Sequence, residues 1–588
     1  MNNFREKANF LWSIADLLRG HYKQADYGKV ILPLTVLRRL DFVLEQTKKD
    51  VLKAYEQHKG KKPEILEPIL NRVAKVKFHN RSKFDFYELA KDHNHIAANL
   101  RNYINGFSIG SKEIIDYFSF EDQIKKLEEY DLLYLVIKKF AEAGEMFKNV
   151  STMEMGYIFE ELIRKFSELS NETAGEHFTP REVIRLMVNL LFVNDKDILR
   201  KKGIVKTLYD PACGTGGMLS VAEEYLHELN PDAKLEVFGQ ELNPESYAIC
   251  KSDMLIKGQN PGNIKFGNSF TQDGLEPEHF DYMLSNPPFG VEWKKAEKQI
   301  KNEFASKGFA GRFGAGLPAI SDGSFLFLQH MISKMKRDTG GSRIGIVFNG
   351  SPLFSGGAGS GTSDIRKWII ENDMLEAIVA MPDQLFYNTG ISTYVWIVTD
   401  RKSKERKDKV QLINATGNDK DDKDLPAGQA GNPFYSKMLR SLGNKRKEIH
   451  EQAIKRITEI YSEFKKSATC KIFDNDDFGY SRITVERPKR NAKGVIEKDK
   501  KGNPVPDADL RDFENVPLKE DVTKYFKREV LPHLPDAWID ENKTKTGYEI
   551  NFTKYFYQYK PLRSLKEIRE DILKLEEETE NMISKVLN

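Results

Sequence analysis

The stretch Thr207-Leu208-Tyr209-Asp210-Pro211-Ala212-Cys213-Gly214-Thr215-Gly216-Gly217-Met218-Leu219 decides the fold. A short strand-like run stops at an acid and a proline, passes three glycines and continues into an apolar helical pattern, which predicts strand, tight turn and helix. Glycines at 214, 216 and 217 let backbone approach a ligand closely, and the helix that follows offers unpaired N–H groups and the positive end of its dipole. Alone, such a turn holds a dinucleotide or nothing, so its neighbours must decide.

Outward from it the same texture repeats. Apolar or β-branched runs at Leu235 to Gly239, Ile264-Lys265-Phe266, Phe280 to Leu284, Ile344 to Phe348, Leu375 to Val379 and Tyr394 to Val398 alternate with helical stretches and Gly-rich turns. That alternation predicts a doubly wound, Rossmann-like α/β sheet. Upstream, Phe10, Leu11, Ile14, Leu17 and Leu18, then Leu32 to Leu44, Leu132 to Phe140 and Met155 to Phe166, repeat at helical spacing and predict an N-terminal helical domain. Downstream of Asp400 the charge-rich Arg401 to Lys409 and Asn418 to Asp424 read as connectors. Arg490 to Pro506 carries hairpin-like turn chemistry with basic flanks, which suits a nucleic-acid contact or a solvated loop. At the end, Leu565, Ile568, Ile572, Leu575, Thr579, Met582 and Val586 alternate spacings of three and four, the narrow stripe of a coiled-coil-like docking helix or of a helix packed on its own domain. The expected domains are residues 1–165, helical; 166–415, the α/β core; and 416–588, a C-terminal region with a helical tail.

Composition bounds the function. With 588 residues, 40% of them apolar, the chain can bury a sizeable core, which excludes a disordered, collagen-like or disulfide-stapled class. No apolar run is long enough to cross a bilayer, and Met1 to Leu18 mixes charges into its apolar positions, so a cytoplasmic protein with no membrane partner is expected. Cys213, Cys250 and Cys470 lie far apart without CxxC spacing, so neither disulfides nor a metal site is expected. The net charge, 91 − 88 = +3, neither demands nor excludes a polyanionic partner. No Walker-type loop is present, so ATP hydrolysis is not expected of this chain.

The chemistry gathers at predicted strand ends. Glu241, in Gly239-Gln240-Glu241-Leu242-Asn243-Pro244, is placed to accept hydrogen bonds from two ribose hydroxyls. Asn268, after Gly267, could meet an adenine edge. The sequence Asp281-Tyr282-Met283-Leu284-Ser285-Asn286-Pro287-Pro288-Phe289-Gly290 closes a strand with two prolines, which fix a rigid corner where a parallel sheet presents its ligands. There the Asn286 side-chain oxygen and the Pro287 carbonyl can both accept from one amino group. Holding both hydrogens of a ring-conjugated amine frees its lone pair for in-line attack on a methyl sulfonium, and Phe289 can stack on the base. A base inside a duplex cannot reach such a pocket without flipping.

Thr179-Pro180, Asp210 to Gly217 and Asn286-Pro287-Pro288-Phe289, in that order, resemble the amino-group DNA methyltransferases that use S-adenosyl-L-methionine, and the Asn-Pro-Pro-Phe form implies adenine N6. The cytosine C5 reaction is disfavoured, since no cysteine follows a proline. The resemblance extends to the modification subunit of type I restriction-modification systems through Gly175 to Arg181, Asp322 to Phe325, Met381 to Ile391, Pro535 to Trp538 and Gly547 to Ile550. It implies that Glu176, His177, Phe178, Thr179, Pro180 and Arg181 fold over the cofactor, with His177 making contact without catalysing. It further implies that Asp210, Gly214, Thr215, Gly216, Gly217, Glu241 and Asn268 hold the cofactor, and that Asn286 to Phe289 carry catalysis. The implied partners are double-stranded DNA, a specificity subunit, a second copy of the chain and, optionally, a motor-nuclease restriction subunit. Locally, Thr179-Pro180 also reads as a helix start. Two Gly-rich segments, Lys307 to Gly316 and Gly350 to Gly361, are expected to order over DNA, the second being equally readable as an idle linker. The alternatives are a stand-alone adenine methyltransferase, a catalytically idle cofactor-binding subunit, and a methyltransferase acting on protein glutamine or RNA guanine.

Overall fold

The computed structural model describes residues 10, 12–143, 162, 179–337, 340–387, 389–417, 434–442, 444–557 and 564–587. Eleven strands come first: β1 (Val205–Asp210), β2 (Lys234–Glu241), β3 (Ile264–Phe266), β4 (Tyr282–Ser285), β5 (Arg343–Phe348), β6 (Leu375–Ala380), β7 (Tyr394–Thr399), β8 (Lys409–Asn414), β9 (Ser436–Leu442), β10 (Lys445–Glu448) and β11 (Cys470–Asp474). All but the β9–β10 hairpin join one sheet, in the order β3-β2-β1-β4-β5-β7-β6-β8-β11. β1 to β5 run parallel, β7 runs antiparallel between β5 and β6, and β11 is antiparallel to β8.

All seven strand runs expected from the sequence are strands of this sheet. Two more, β8 and β11, extend it past residue 415 to Asp474. β8 was masked by the charged Arg401 to Lys409 that leads into it, and β11 by its alternating polar positions at an edge.

Side chains alternate across the sheet as a pleat requires. On one face Leu208, Val237, Leu284 and Val347 pack under the helices Arg181–Phe192, Gly217–Leu229 and Glu451–Glu463. On the other, Tyr209 stacks on Phe280 at 4.6 Å, and Phe325 of the helix Ser324–Ser333 meets Phe348 and Trp396 edge-on.

Residues 28–142 form the expected helical domain, from Gly28–Leu44 to Leu133–Glu142. The stretch Met155 to Phe166 lies, apart from Leu162, outside the described residues. The domain is fused to the sheet by a shared helix, Pro244–Ile256. Ala248, Ile249 and Leu255 on that helix belong to the apolar core of the N-terminal helices, whereas Tyr247, Cys250 and Met254 belong to the core of the sheet. Its buried positions therefore lie all round its circumference, as expected of a helix packed between two layers.

A smaller antiparallel sheet follows, with β12 (Gly479–Glu486) between β13 (Asp512–Pro517) and β14 (Trp538–Tyr548). Residues 551–588 form a separate unit containing the helix Leu565–Leu587, on which Leu565, Ile568, Ile572 and Leu575 are exposed. No helix among the described residues is long and apolar enough to cross a membrane.

Because Ile249 is 2% exposed inside the core of the N-terminal helices, Ile249→Ala should cost about 3 kcal/mol. Denaturant unfolding should show helices and sheet melting together at the lower midpoint, since both cores lean on this helix.

Candidate active site

β2 and β4 flank β1 and run parallel to it, so their carboxyl ends lie side by side. This is the switch point of the sheet, where connections leave in opposite directions and a crevice opens. A cleft lies there, lined among others by Thr179, Asp210, Gly214, Thr215, Gly217 and Asn286.

The glycine turn is shaped by its own backbone. The Gly216 N–H donates to the Cys213 carbonyl at 2.8 Å, and the Cys213 N–H to the Gln240 carbonyl at 3.1 Å. Gly214 and Gly216 have φ of 54° and 87°, a region that side chains disfavour. A Cβ at Gly216 would also lie 2.8 Å from the Cys250 sulfur. Glu241 sits behind the turn: Oε2 accepts from the Gly214 N–H at 2.8 Å and Oε1 from the Asn243 N–H at 2.7 Å. Each carboxylate oxygen keeps a lone pair for a further donor. Asn243 then caps the helix that Pro244 starts, accepting from Glu245 and Ser246 N–H groups at 3.0 Å.

Asp210 is 2% exposed and accepts from the Ala212 N–H and the Ser285 hydroxyl, each at 2.9 Å. Burial pushes its pKa up to about 7, assisted by the charge of Glu241 and opposed by those two donors. Ser285 is followed by Asn286, whose Nδ2 donates to the Thr179 hydroxyl at 2.9 Å. Asn286 Oδ1 is buried and has no hydrogen-bond partner among the described residues. Pro287 is buried and Pro288 half-buried. The ring of Phe289 meets Phe386 edge-on, with centroids 6.0 Å apart. Phe386 therefore backs the Asn-Pro-Pro-Phe corner.

Some expected site residues are placed differently. Asn268 follows β3, and its Oδ1 closes its own turn on the Phe270 N–H at 2.8 Å. Thr179 does not cap the helix Arg181–Phe192. Pro180 takes the cap position and the Thr179 hydroxyl goes to Asn286. Arg181 reaches the Gly217 carbonyl at 3.4 Å. Glu176, His177 and Phe178 lie outside the described residues. Among the described residues no cluster of three or more metal-ligating side chains occurs.

Both Gly-rich segments are anchored by an arginine. Arg312 pairs with Glu303 at 2.6 Å and donates to the carbonyls of Ser269 at 2.9 Å and Phe270 at 2.7 Å. Its Nη1 also donates to His330 Nδ1 at 3.2 Å. A guanidinium only donates, so Nδ1 must accept; the neutral imidazole then carries its proton on Nε2 and donates to the Tyr209 hydroxyl at 3.0 Å. Burial pulls the His330 pKa down to about 3, which keeps that ring neutral. The Ser269 hydroxyl completes the chain by donating to the Pro211 carbonyl at 2.6 Å, so Arg312 is linked to the glycine turn itself. Gly350 to Gly361 is pinned by Arg366, which donates to the carbonyls of Pro352, Gly356 and Tyr548. No spacing in the sequence flags Glu303, Arg312 and His330, because each comes from a different segment.

Two outcomes follow from these contacts. The folded pKa of Asp210 lies above that of an unfolded aspartate, so the folded state holds the extra proton between about pH 4 and 7, and this site's contribution to stability falls as pH rises through that window. Asp210→Asn removes the decline, so from pH 5 to 7 the variant should gain about 2 kcal/mol relative to the parent in denaturant unfolding. Arg312→Lys keeps the charge but cannot fork among a carboxylate, two carbonyls and an imidazole. It should lose about 2 kcal/mol of stability, and hydrogen exchange should quicken around Ser269 and Phe270.

Comparison with known proteins agrees with this geometry. Residues 151–486 match the N-6 DNA Methylase family, and residues 7–140 match the HsdM N-terminal domain. The chain is 29% identical over 435 residues to the type I restriction enzyme MjaIX methylase subunit of Methanocaldococcus jannaschii, covering 70% of this chain and 72% of that one. It is 29% identical over 264 residues to the HindI methylase subunit of Haemophilus influenzae, covering 44% of this chain and about half, 54%, of its relative. The crystal structure of a type I restriction-modification methyltransferase subunit from Streptococcus thermophilus shares the fold, with a TM-score of 0.60 at 22% identity, covering 81% of this chain and 96% of that one. With more than half of its length matched by one family, the chain belongs to the N-6 DNA methylases, and its relatives there are methylase subunits of type I restriction enzymes.

Proposed function

We propose that the chain transfers a methyl group from S-adenosyl-L-methionine to N6 of adenine in double-stranded DNA, as the modification subunit of a type I system whose target is read by a specificity subunit. The observation that carries this reading is Asn286 Oδ1, buried without a partner among the described residues in a cleft it shares with the glycine turn. Leaving a buried acceptor unpaired costs about 1–3 kcal/mol, which a ligand amine would offset.

The residues fit a nucleoside cofactor. Gly214 and Gly216 hold conformations that leave the turn bare of side chains, and Glu241 keeps acceptor capacity beside Gly214. Thr215 to Gly217 and Glu241 would hold it, and the family resemblance assigns Glu176 to Arg181 to it as well. When bound, the cofactor supplies an electrophilic methyl group on a sulfonium centre.

The chain's own work is orientation. Thr179 fixes the Asn286 amide so that its oxygen is left for the target. Asn286 Oδ1 and the Pro287 carbonyl accept the two amine hydrogens of a flipped adenine, holding the nitrogen towards tetrahedral geometry and its lone pair in line. Phe289, braced by Phe386, presents a ring for the base to stack on. The exposed stripe Leu565, Ile568, Ile572 and Leu575 suits docking to the specificity subunit, with a second copy of the chain and a restriction subunit completing the assembly.

Asn286→Ala in the assembled enzyme should lower adenine methylation about 100-fold or more while cofactor binding persists, measured by transfer of labelled methyl groups and by mapping modified adenines in host DNA. Methylation at the parental rate would sink the assignment of Asn286.

A further inference from the structure

Between β12 and β13 the chain folds into a compact arm, residues 487–511. Its three short segments bond in a closed ring: Lys489 N–H to the Val505 carbonyl at 2.8 Å, Val505 N–H to the Glu497 carbonyl at 2.9 Å, and Glu497 N–H to the Lys489 carbonyl at 2.8 Å. Two side-chain-closed turns join them. Asn491 Oδ1 accepts from the N–H groups of Lys493 and Val495, and Asp499 Oδ1 from those of Lys501 and Asn503, with Gly494 and Gly502 at φ of 76° and 87°. The arm is thus ordered before it meets anything.

Its charge is lopsided. Residues 489–501 hold six cations and two carboxylates, and the carboxylates are engaged. Asp499 closes its turn, and Glu497 pairs with Lys489 at 3.5 Å. Arg490, with Arg487, pairs with Asp536. Lys493, Lys498, Lys500 and Lys501 are exposed, and their ammonium groups have no carboxylate or hydrogen-bond partner among the described residues.

The small sheet that carries the arm packs against the segment that follows β5. A Cβ at Gly357 would lie 2.9 Å from Arg482 of β12, and one at Gly359 would lie 2.7 Å from Lys545 of β14. Both glycines belong to the segment that leaves the carboxyl end of β5, which runs parallel to β4 and so ends on the same edge as Asn286. An ordered, cationic arm carried by a sheet packed there suits a polyanion.

We propose that this arm docks the phosphate backbone of duplex DNA, with Lys493, Lys498, Lys500 and Lys501 making the contacts. The inference rests on the reading of the chain as a DNA methyltransferase. It concerns grip on the substrate and leaves the chemistry at Asn286 untouched.

The test uses the full-length chain purified with the subunits that accompany it from its native cells. The four lysines are changed together to Gln and, separately, together to Arg. Binding to a random-sequence duplex is measured between about 50 and 200 mM salt. Each lost phosphate contact lowers the slope of log affinity against log salt by about 0.9, so the Gln variant should lose about 3 to 4 from the slope while the Arg variant keeps it. The KM for DNA should rise about tenfold or more in the Gln variant, with kcat and cofactor binding unchanged. An unchanged slope and KM would overturn the proposal. So would loss of an accompanying subunit with the slope intact, which would make the arm a site for an acidic protein. A parental complex that binds DNA but never methylates adenine would refute the enzymatic reading, and the slope would still judge the arm.

Discussion

One hydrogen bond organises the working edge of this protein: the Gly214 N–H donates to the Glu241 carboxylate at 2.8 Å and so ties the turn after β1 to the end of β2. The bond forms only if the turn lies close against its neighbour, and that closeness excludes side chains. A Cβ at Gly239 would lie 2.8 Å from the Cys213 sulfur, and one at Gly216 2.8 Å from the Cys250 sulfur. Two glycines and two cysteines are therefore mutually fitted, each sulfur occupying the volume a glycine vacates. A hydrogen bond with Cys250, together with burial, pushes the Cys213 thiol up, so these cysteines behave as packing groups.

The edge is braced from the far side of the shared helix. Arg39, in the N-terminal helix Gly28–Leu44, pairs with Asp253 at 3.0 Å; Asp253 accepts in turn from the Ser220 hydroxyl at 3.3 Å and pairs with Lys257 at 3.3 Å. Ser220 lies in the first turn of the helix that the glycine motif starts. A partly buried charge pair of this kind adds little net stability, because desolvation opposes its Coulomb gain. It does fix one register of the N-terminal domain against the glycine turn. This gives a physical reason why the helical domain and the sheet form one body with the cleft.

The parts of this architecture that are local in sequence were legible there. Strand, proline, glycine and helix signals fall within a dozen residues at each of β1, β2 and β4, and the carboxyl ends of a parallel sheet collect them without further information. The Glu303–Arg312–His330–Tyr209 chain was not legible, since its members are far apart in sequence and none has a distinctive spacing. The same holds for Arg366, which turns a segment that reads as a linker into a packed loop. Asn268 carries a local role the sequence did not separate from a ligand role: a residue type suited to a ligand edge is equally suited to closing a turn, as its bond to Phe270 does.

The two acids at this edge differ in how their environments use them. Glu241 spends its charge on two backbone N–H groups that face it from neighbouring turns, a geometry in which a carboxylate is a fixed anchor with acceptor capacity to spare. Asp210 is enclosed, its pKa raised to about 7 by burial, and its Oδ1 accepts from the Ser285 hydroxyl on the strand that ends in Asn286. Its role is to register β4 against β1, and near neutral pH it can do so without placing a full negative charge in the cleft. The groups proposed to meet an amine there, an amide oxygen and a proline carbonyl, are neutral as well. A reaction that begins from a neutral amine gains from such a setting, because acceptors that carry no charge orient the nitrogen without competing for the electrophile.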